Sequence, residues 1–203
     1  MEQSKSSYIK LIEERITLSK RNAAFVVSDF LDITSRSTVT HILCILKKRE
    51  LIERAFSGVY YKVRFSNLLQ EYVTADIEEL AYALARKCKW NIAPSAVHAL
   101  NLLGLSTQVP ARYAFASSGP DKVYNNLNMK FTMIHVPDNE IVGMSTITIM
   151  VIQALKETGE GRVTKKDISI LKNKLPDVIK QTIKEEAKVT TEWIYEIIKQ
   201  VCD

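Results

Sequence analysis

Acidic side chains are missing from one stretch of this chain: no Asp or Glu occurs between Asp32 and Glu50. Cysteine is scarce as well. Cys44, Cys88 and Cys202 are odd in number, widely spaced and in no CxxC pair, which excludes a disulfide framework and reads as reduced thiols in a cytoplasmic protein. The histidines His41, His98 and His135 lie far apart, so no His/Cys cluster has metal-ligand spacing and no metal is expected. The six glycines fall singly or in turns, which argues against a glycine-rich cofactor cradle. No P-loop, HExxH, GxSxG or EF-hand pattern occurs, so no catalytic residue and no cofactor is assigned. Ser117-Ser118-Gly119 followed by Asp121 resembles a nucleotide-handling turn, but no paired acids follow it, and it reads as a hairpin turn. The uncharged apolar run 141–155 is shorter than the roughly 20 residues of a spanning helix and contains Ser145, Thr146, Thr148 and Gln153. MEQSKSSYIK lacks the apolar core of a signal peptide, and no long basic amphipathic helix with aromatic anchors occurs, so no membrane partner is expected.

Against these absences stands an uneven charge. Residues 1–65 carry 12 Lys and Arg against 7 Asp and Glu, whereas 66–203 carry 16 of each, so the whole net charge of +5 lies in the first third. A basic surface attracts polyanions by releasing condensed counterions, which favours nucleic acid as the partner of this part.

The acid-free stretch sits inside 35–63, SRSTVTHILCILKKRELIERAFSGVYYKV. Ser35 is an N-cap residue, since its hydroxyl can accept an unpaired N–H of the first turn. Val39, Ile42, Leu43 and Leu46 recur at i, i+3, i+4 and i+7 and predict one buried helix face. The opposite face carries Ser37, Thr40, His41, Cys44 and Lys48, short polar groups suited to base edges and phosphates. LIERAF and VYYKVRF then predict two strands joined at Ser57-Gly58. Upstream, SYIKLIEERITL has a helical stripe of Tyr8, Ile9, Leu11, Ile12 and Ile16, AAFVV is a candidate strand for pairing with the hairpin, and Ser28 is expected to cap a helix over SDFLDI. Helix, turn, helix, hairpin is the order of a winged helix-turn-helix, expected over residues 5–65. In that arrangement Arg36, Ser37, Thr40 and His41 are the candidate base readers, at the N-terminal turns that reach the major groove. Lys47, Lys48, Arg54, Lys62 and Arg64 are the candidate phosphate contacts.

The remainder, 66–203, predicts an α+β domain of helices, a small antiparallel sheet and further helices. TADIEELAYALARKCK is a helix with acids first and bases last, and Pro94-Ser95 opens a helix closing at Gly104. Strands are expected at 112–117, 122–127 and 130–136, and 146–152 suits either a strand or the start of a helix. Thr164 and Asp167 form a capping pattern, Pro176-Asp177 restarts a helix, and Thr190-Thr191 precedes the last. Here the candidate partner surface is Arg112, Lys122, Lys130 and Tyr195, with Trp193 expected in the core and His98 as a structural hydrogen bonder. Two rival functional classes share these features: a winged-helix adaptor that binds only protein, and a nucleotide-handling enzyme.

SDFLDITSRSTVTHILCILKKRELIERAFSGVYYKV, APSAVHALNLLGLSTQVPARYAFASSGP and TTEWIYEIIKQV resemble the AbiEi family of antitoxins from type IV toxin–antitoxin, or abortive infection, systems. The resemblance runs from about Ser4 to Val201, and its most specific part is ALNLLGLSTQVP. It implies an N-terminal winged helix-turn-helix that binds double-stranded DNA at the operator of its own operon. It also implies a C-terminal domain that neutralises a nucleotidyltransferase-like partner toxin. The turn tip Phe56-Ser57-Gly58 departs from the expected pattern in carrying no arginine.

Overall fold

The computed structural model describes residues 2–20, 22–66, 71–73, 75–126 and 129–203. They form a mixed α+β protein that divides into two units, Met1–Lys89 with Asn125–Met129 and Trp90–Tyr124 with Lys130–Asp203. Among the described residues no helix is long and apolar enough to cross a membrane.

The first unit opens with α1 (Glu2–Leu18), which buries Ile12 and Ile16 but leaves Leu11, counted in the expected stripe, 47% exposed. Strand β1 (Ala24–Val26) follows, and then a 3-10 turn, Val27–Phe30, in place of the helix expected to begin at Ser28. Only Phe30 of that turn is buried. The cap is built differently too, because the Asp29 carboxylate accepts the Val26 N–H at 3.0 Å. Helix α2 (Arg36–Lys48) starts after Ser35 and buries the expected stripe of Val39, Ile42, Leu43 and Leu46. Strands β2 (Ile52–Phe56) and β3 (Val59–Lys62) form the expected hairpin, turning at Gly58, whose φ of +69° favours glycine. β1 pairs antiparallel with β3, giving the order β1-β3-β2. One core collects Ile12, Ile16, Phe25, Phe30, the α2 stripe, Ile52 and Tyr60.

This unit continues beyond residue 65, where the sequence reading placed its end. Strands β4 (Arg64–Ser66) and β5 (Glu71–Val73) pair with each other. Helix α3 (Ile77–Cys88), capped by Asp76, packs on β1 and β3, and the first unit therefore keeps it.

In the second unit β6 (Ile92–Pro94), absent from the sequence reading, pairs antiparallel with β7 (Tyr113–Ser117). Helix α4 (Ala96–Leu102) lies between them in sequence and ends before Gly104, as expected. Strands β8 (Lys122–Asn126) and β9 (Met129–His135) complete a sheet of order β6-β7-β9-β8. Because β9 inserts beside β7 in parallel, the sheet is mixed rather than antiparallel, and 118–121 is a crossover rather than a hairpin turn. The crossover is tightly held. Gly119 donates its N–H to Ser117 Oγ at 3.0 Å, His135 donates its N–H to Asp121 Oδ1 at 2.6 Å, and the Trp90 ring lies against Gly119.

The ambiguous run 146–152 is helical, as the start of α5 (Thr146–Thr158). Its β-branched residues give way to burial on several sides, since Thr148, Ile149, Val151 and Ile152 are all buried. The Glu186 carboxylate closes the N-terminal end of α5, accepting from the Ser145 N–H at 2.9 Å and the Ser145 hydroxyl at 2.7 Å. Helix α6 (Lys165–Lys174) carries the expected Thr164–Asp167 capping box. Helices α7 (Asp177–Glu186) and α8 (Glu192–Cys202) pack with α4, α5 and α6 around Leu103, Val151, Leu155, Leu171, Ile194 and Ile198.

Candidate nucleic-acid interface

Helix α2 presents its polar face outward because its other face is fixed in the core. Ser35 is extended, and its hydroxyl accepts the Thr38 N–H at 3.4 Å, starting the helix at Arg36. Arg36, Ser37, Thr40, His41, Cys44, Lys47 and Lys48 are all exposed. The four candidate base readers thus share the first turns of one helix face. The Thr40 hydroxyl donates to the Arg36 carbonyl at 2.8 Å and keeps lone pairs as acceptors. Beside them a shallow groove lined by Ile9, Ser37, Thr38, His41, Ile42 and Ile45 adds an apolar floor to a hydrogen-bonding rim. Behind Cys44, burial raises the Tyr60 hydroxyl above its ordinary range and the neighbouring thiol adds to this, so Tyr60 stays a neutral phenol.

The cations of this unit fall into two groups. Arg15 holds both oxygens of Asp32, at 2.7 and 2.6 Å, and also donates to the Asp29 carbonyl at 2.9 Å. Those hydrogen bonds outweigh the opposing effect of desolvation and hold the Asp32 carboxyl below its usual range. The acid that borders the acid-free stretch is thereby neutralised. Lys20 pairs with Glu79 and Arg49 with Glu13. Lys62, a candidate phosphate contact, is half-buried and donates to the Thr17 carbonyl at 2.7 Å, closing the C-terminal end of α1. Among the described residues Arg36, Lys47, Lys48 and Arg54 have no acidic partner. Arg54 is exposed on β2, with its Nε donating to the Phe56 carbonyl at 3.3 Å. Arg64 lies in β4, and its side chain is outside the described residues.

Two residues that the sequence reading did not single out hold this surface in place. Arg86 of α3 straddles the Asp29 carboxylate, with contacts of 3.1 Å to each oxygen, and also donates to the Ala24 carbonyl at 2.9 Å. The turn ahead of α2 is therefore gripped by α1 through Arg15 and by α3 through Arg86. Lys87, the next residue, donates its ammonium to the Ser57 carbonyl at 2.6 Å. An Arg-Lys pair closing a helix supports its dipole and gives no further signal in sequence, because both partners lie more than 25 residues away.

The candidate partner residues of the second unit are not gathered into one site. Arg112 precedes β7, Lys122 lies on β8 with its ammonium 5.2 Å from the Tyr124 ring, and Lys130 lies on β9, all three exposed. Tyr195 packs partly buried on the helical core with Lys199 over its ring, and Trp193 packs there as well. Neither is a free surface aromatic or a fully enclosed one. His98 is 3% exposed and meets the rings of Tyr113 and Phe115 edge-on, at 5.1 and 5.6 Å. Among the described residues no three His, Cys, Asp or Glu side chains converge to hold a metal ion.

Fold and surface together define an α+β protein whose first unit displays an exposed, acid-free helix against a three-stranded sheet. Residues 11–187 match DUF6088, described as a family of unknown function, and the chain belongs to that family. A search among curated proteins finds no match.

Proposed function

We propose that this protein is a cytoplasmic DNA-binding repressor of its own operon, and that it acts as the antitoxin of a type IV toxin–antitoxin pair. The observation that carries the DNA-binding half is the outward face of α2. Arg36, Ser37, Thr40 and His41 are solvent-facing, unshielded by acids, and flanked by Lys47 and Lys48 without acidic partners among the described residues. Short donors and acceptors on a cationic helix match what a major groove and its phosphates offer. The order α1, β1, 3-10 turn, α2, β2, β3 with β3 central supports a winged helix-turn-helix reading, in which α2 enters the groove and the Ser57-Gly58 turn is the wing. Arg36 reads guanine, Ser37, Thr40 and His41 serve neighbouring base edges, and Lys47, Lys48 and Arg54 position the duplex by its phosphates.

The antitoxin half rests on the resemblance of APSAVHALNLLGLSTQVPARYAFASSGP and TTEWIYEIIKQV to the AbiEi antitoxins. Two experiments separate the halves. A mobility-shift assay with the chain's own upstream DNA, at two salt concentrations, yields a salt-sensitive specific complex; no complex at low salt refutes operator binding. Co-expression with the product of the adjacent reading frame restores growth if that product is a nucleotidyltransferase-like toxin. Unrelieved toxicity refutes the antitoxin role and leaves the repressor role standing.

A further inference from the structure

We infer that Lys87, from the end of α3, is the phosphate-contacting cation of the Ser57-Gly58 wing, a role that no residue within the wing tip can fill. This rests on the DNA-binding reading above and extends it to an element outside the helix-turn-helix. The tip, Phe56-Ser57-Gly58, contains no charged side chain, and its carbonyl dipoles would by themselves repel a phosphate. Three consecutive carbonyls are instead each covered by a side-chain donor. Asn126 donates to Ala55, Arg54 to Phe56 at 3.3 Å, and Lys87 to Ser57 at 2.6 Å. The Lys87 stem runs alongside Gly58, where an added Cβ would sit 3.3 Å from Lys87 Cε, so the ammonium is held at the turn itself. Lys87 is nevertheless exposed and has no acidic partner among the described residues. An ammonium has three N–H donors, and the Ser57 carbonyl takes one. The other two leave the charge able to meet a phosphate where a wing would meet the backbone of a duplex.

The test measures affinity for the upstream duplex from 50 to 200 mM salt for the wild type, Lys87→Gln and Lys87→Arg. Each phosphate contact contributes about 0.9 to the slope of log affinity against log salt. Lys87→Gln is expected to flatten that slope by about 0.9, so that it loses about 3.5-fold less affinity than the wild type over this range. The weakening at low salt is uniform across operator variants, and Lys87→Arg keeps the wild-type slope. Thermal melting of each variant without DNA confirms that the fold is intact. A wild-type slope in Lys87→Gln overturns the assignment while leaving DNA binding in place. A wild type that binds no duplex overturns both.

Discussion

Replacing Lys47, Lys48 and Arg54 together by Gln, with Lys62→Gln as an internal control, tests the proposed division between cations that meet DNA and cations that hold the fold. None of the four has an acidic partner among the described residues, but the first three are exposed, whereas Lys62 is half-buried where it donates to the Thr17 carbonyl at 2.7 Å. If each of these exposed cations neutralises one phosphate, the triple variant loses about 2.7 from the salt slope, at about 0.9 per contact. Over the fourfold change from 50 to 200 mM salt, that is about a 40-fold smaller loss of affinity than in the wild type. Lys62→Gln leaves the slope unchanged. It removes a charge-assisted hydrogen bond at a helix C-terminus, a loss of about 1 kcal/mol, and lowers the melting temperature by about 2–4 °C in a chain of this size. Fluorescence anisotropy with labelled duplex reads the first effect, and thermal melting without DNA reads the second. The reasoning fails if Lys62→Gln flattens the slope as much as any one of the three, because charge count alone would then govern binding.

Three further outcomes follow from individual contacts. Arg36→Ala weakens operator binding by about 1–3 kcal/mol and relaxes preference at one base pair, scored over a panel of operator variants; unchanged discrimination removes Arg36 from the readers. Gly119→Ala places a methyl 2.3 Å from the Trp90 ring, and the displacement required destabilises by about 1–3 kcal/mol, with a shift in tryptophan emission; melting and emission like the wild type's would show that the crossover gives way easily. For Glu186, burial alone raises the carboxyl, but hydrogen bonds from Thr148 and Ser145 outweigh it and hold the group below its usual range. A depressed carboxyl stabilises the fold above its unfolded value of about 4.3 and loses that contribution as pH falls through the folded one. Glu186→Gln is therefore less stable than the wild type by about 1–2 kcal/mol at neutral pH, and the gap closes in acid; a gap of constant size from pH 7 to pH 3 contradicts the assignment.

Local pattern made α2 legible: a cap at Ser35, a stripe of four apolar residues and an outward face without acid are all properties of neighbours in sequence. The pairing of β1 with the hairpin was equally readable, since one apolar run and one turn leave few alternatives. Sheet order in the second unit was not. Three strand signals joined by short turns suit a meander, and only long-range packing places β9 between β7 and β8. The three-residue β6 is too short to leave a periodic trace beside Pro94. Within the candidate interface the sequence shows which residue types are present, but their commitments are hidden. Lys62 and Lys48 are the same amino acid in the same basic region, and the half-burial of Lys62, with its 2.7 Å contact to the end of α1, tells them apart. Lys87 was overlooked for the converse reason, because in sequence it belongs to a helix that ends nearly 30 residues after the turn it serves.

The double grip on Asp29 has a practical corollary for anyone dissecting this molecule. A fragment cut after residue 65 would keep Arg15 but discard Arg86, leaving the Asp29 carboxylate with the Val26 amide alone and stripping α3 from β1 and β3. Such a piece would keep the whole sequence of α2 and the hairpin but stand on a loosened pedestal. The first unit runs on through Lys89 and takes in Asn125–Met129 as well, and a lesion at Arg86 of α3 would loosen the turn ahead of α2 some fifty residues upstream.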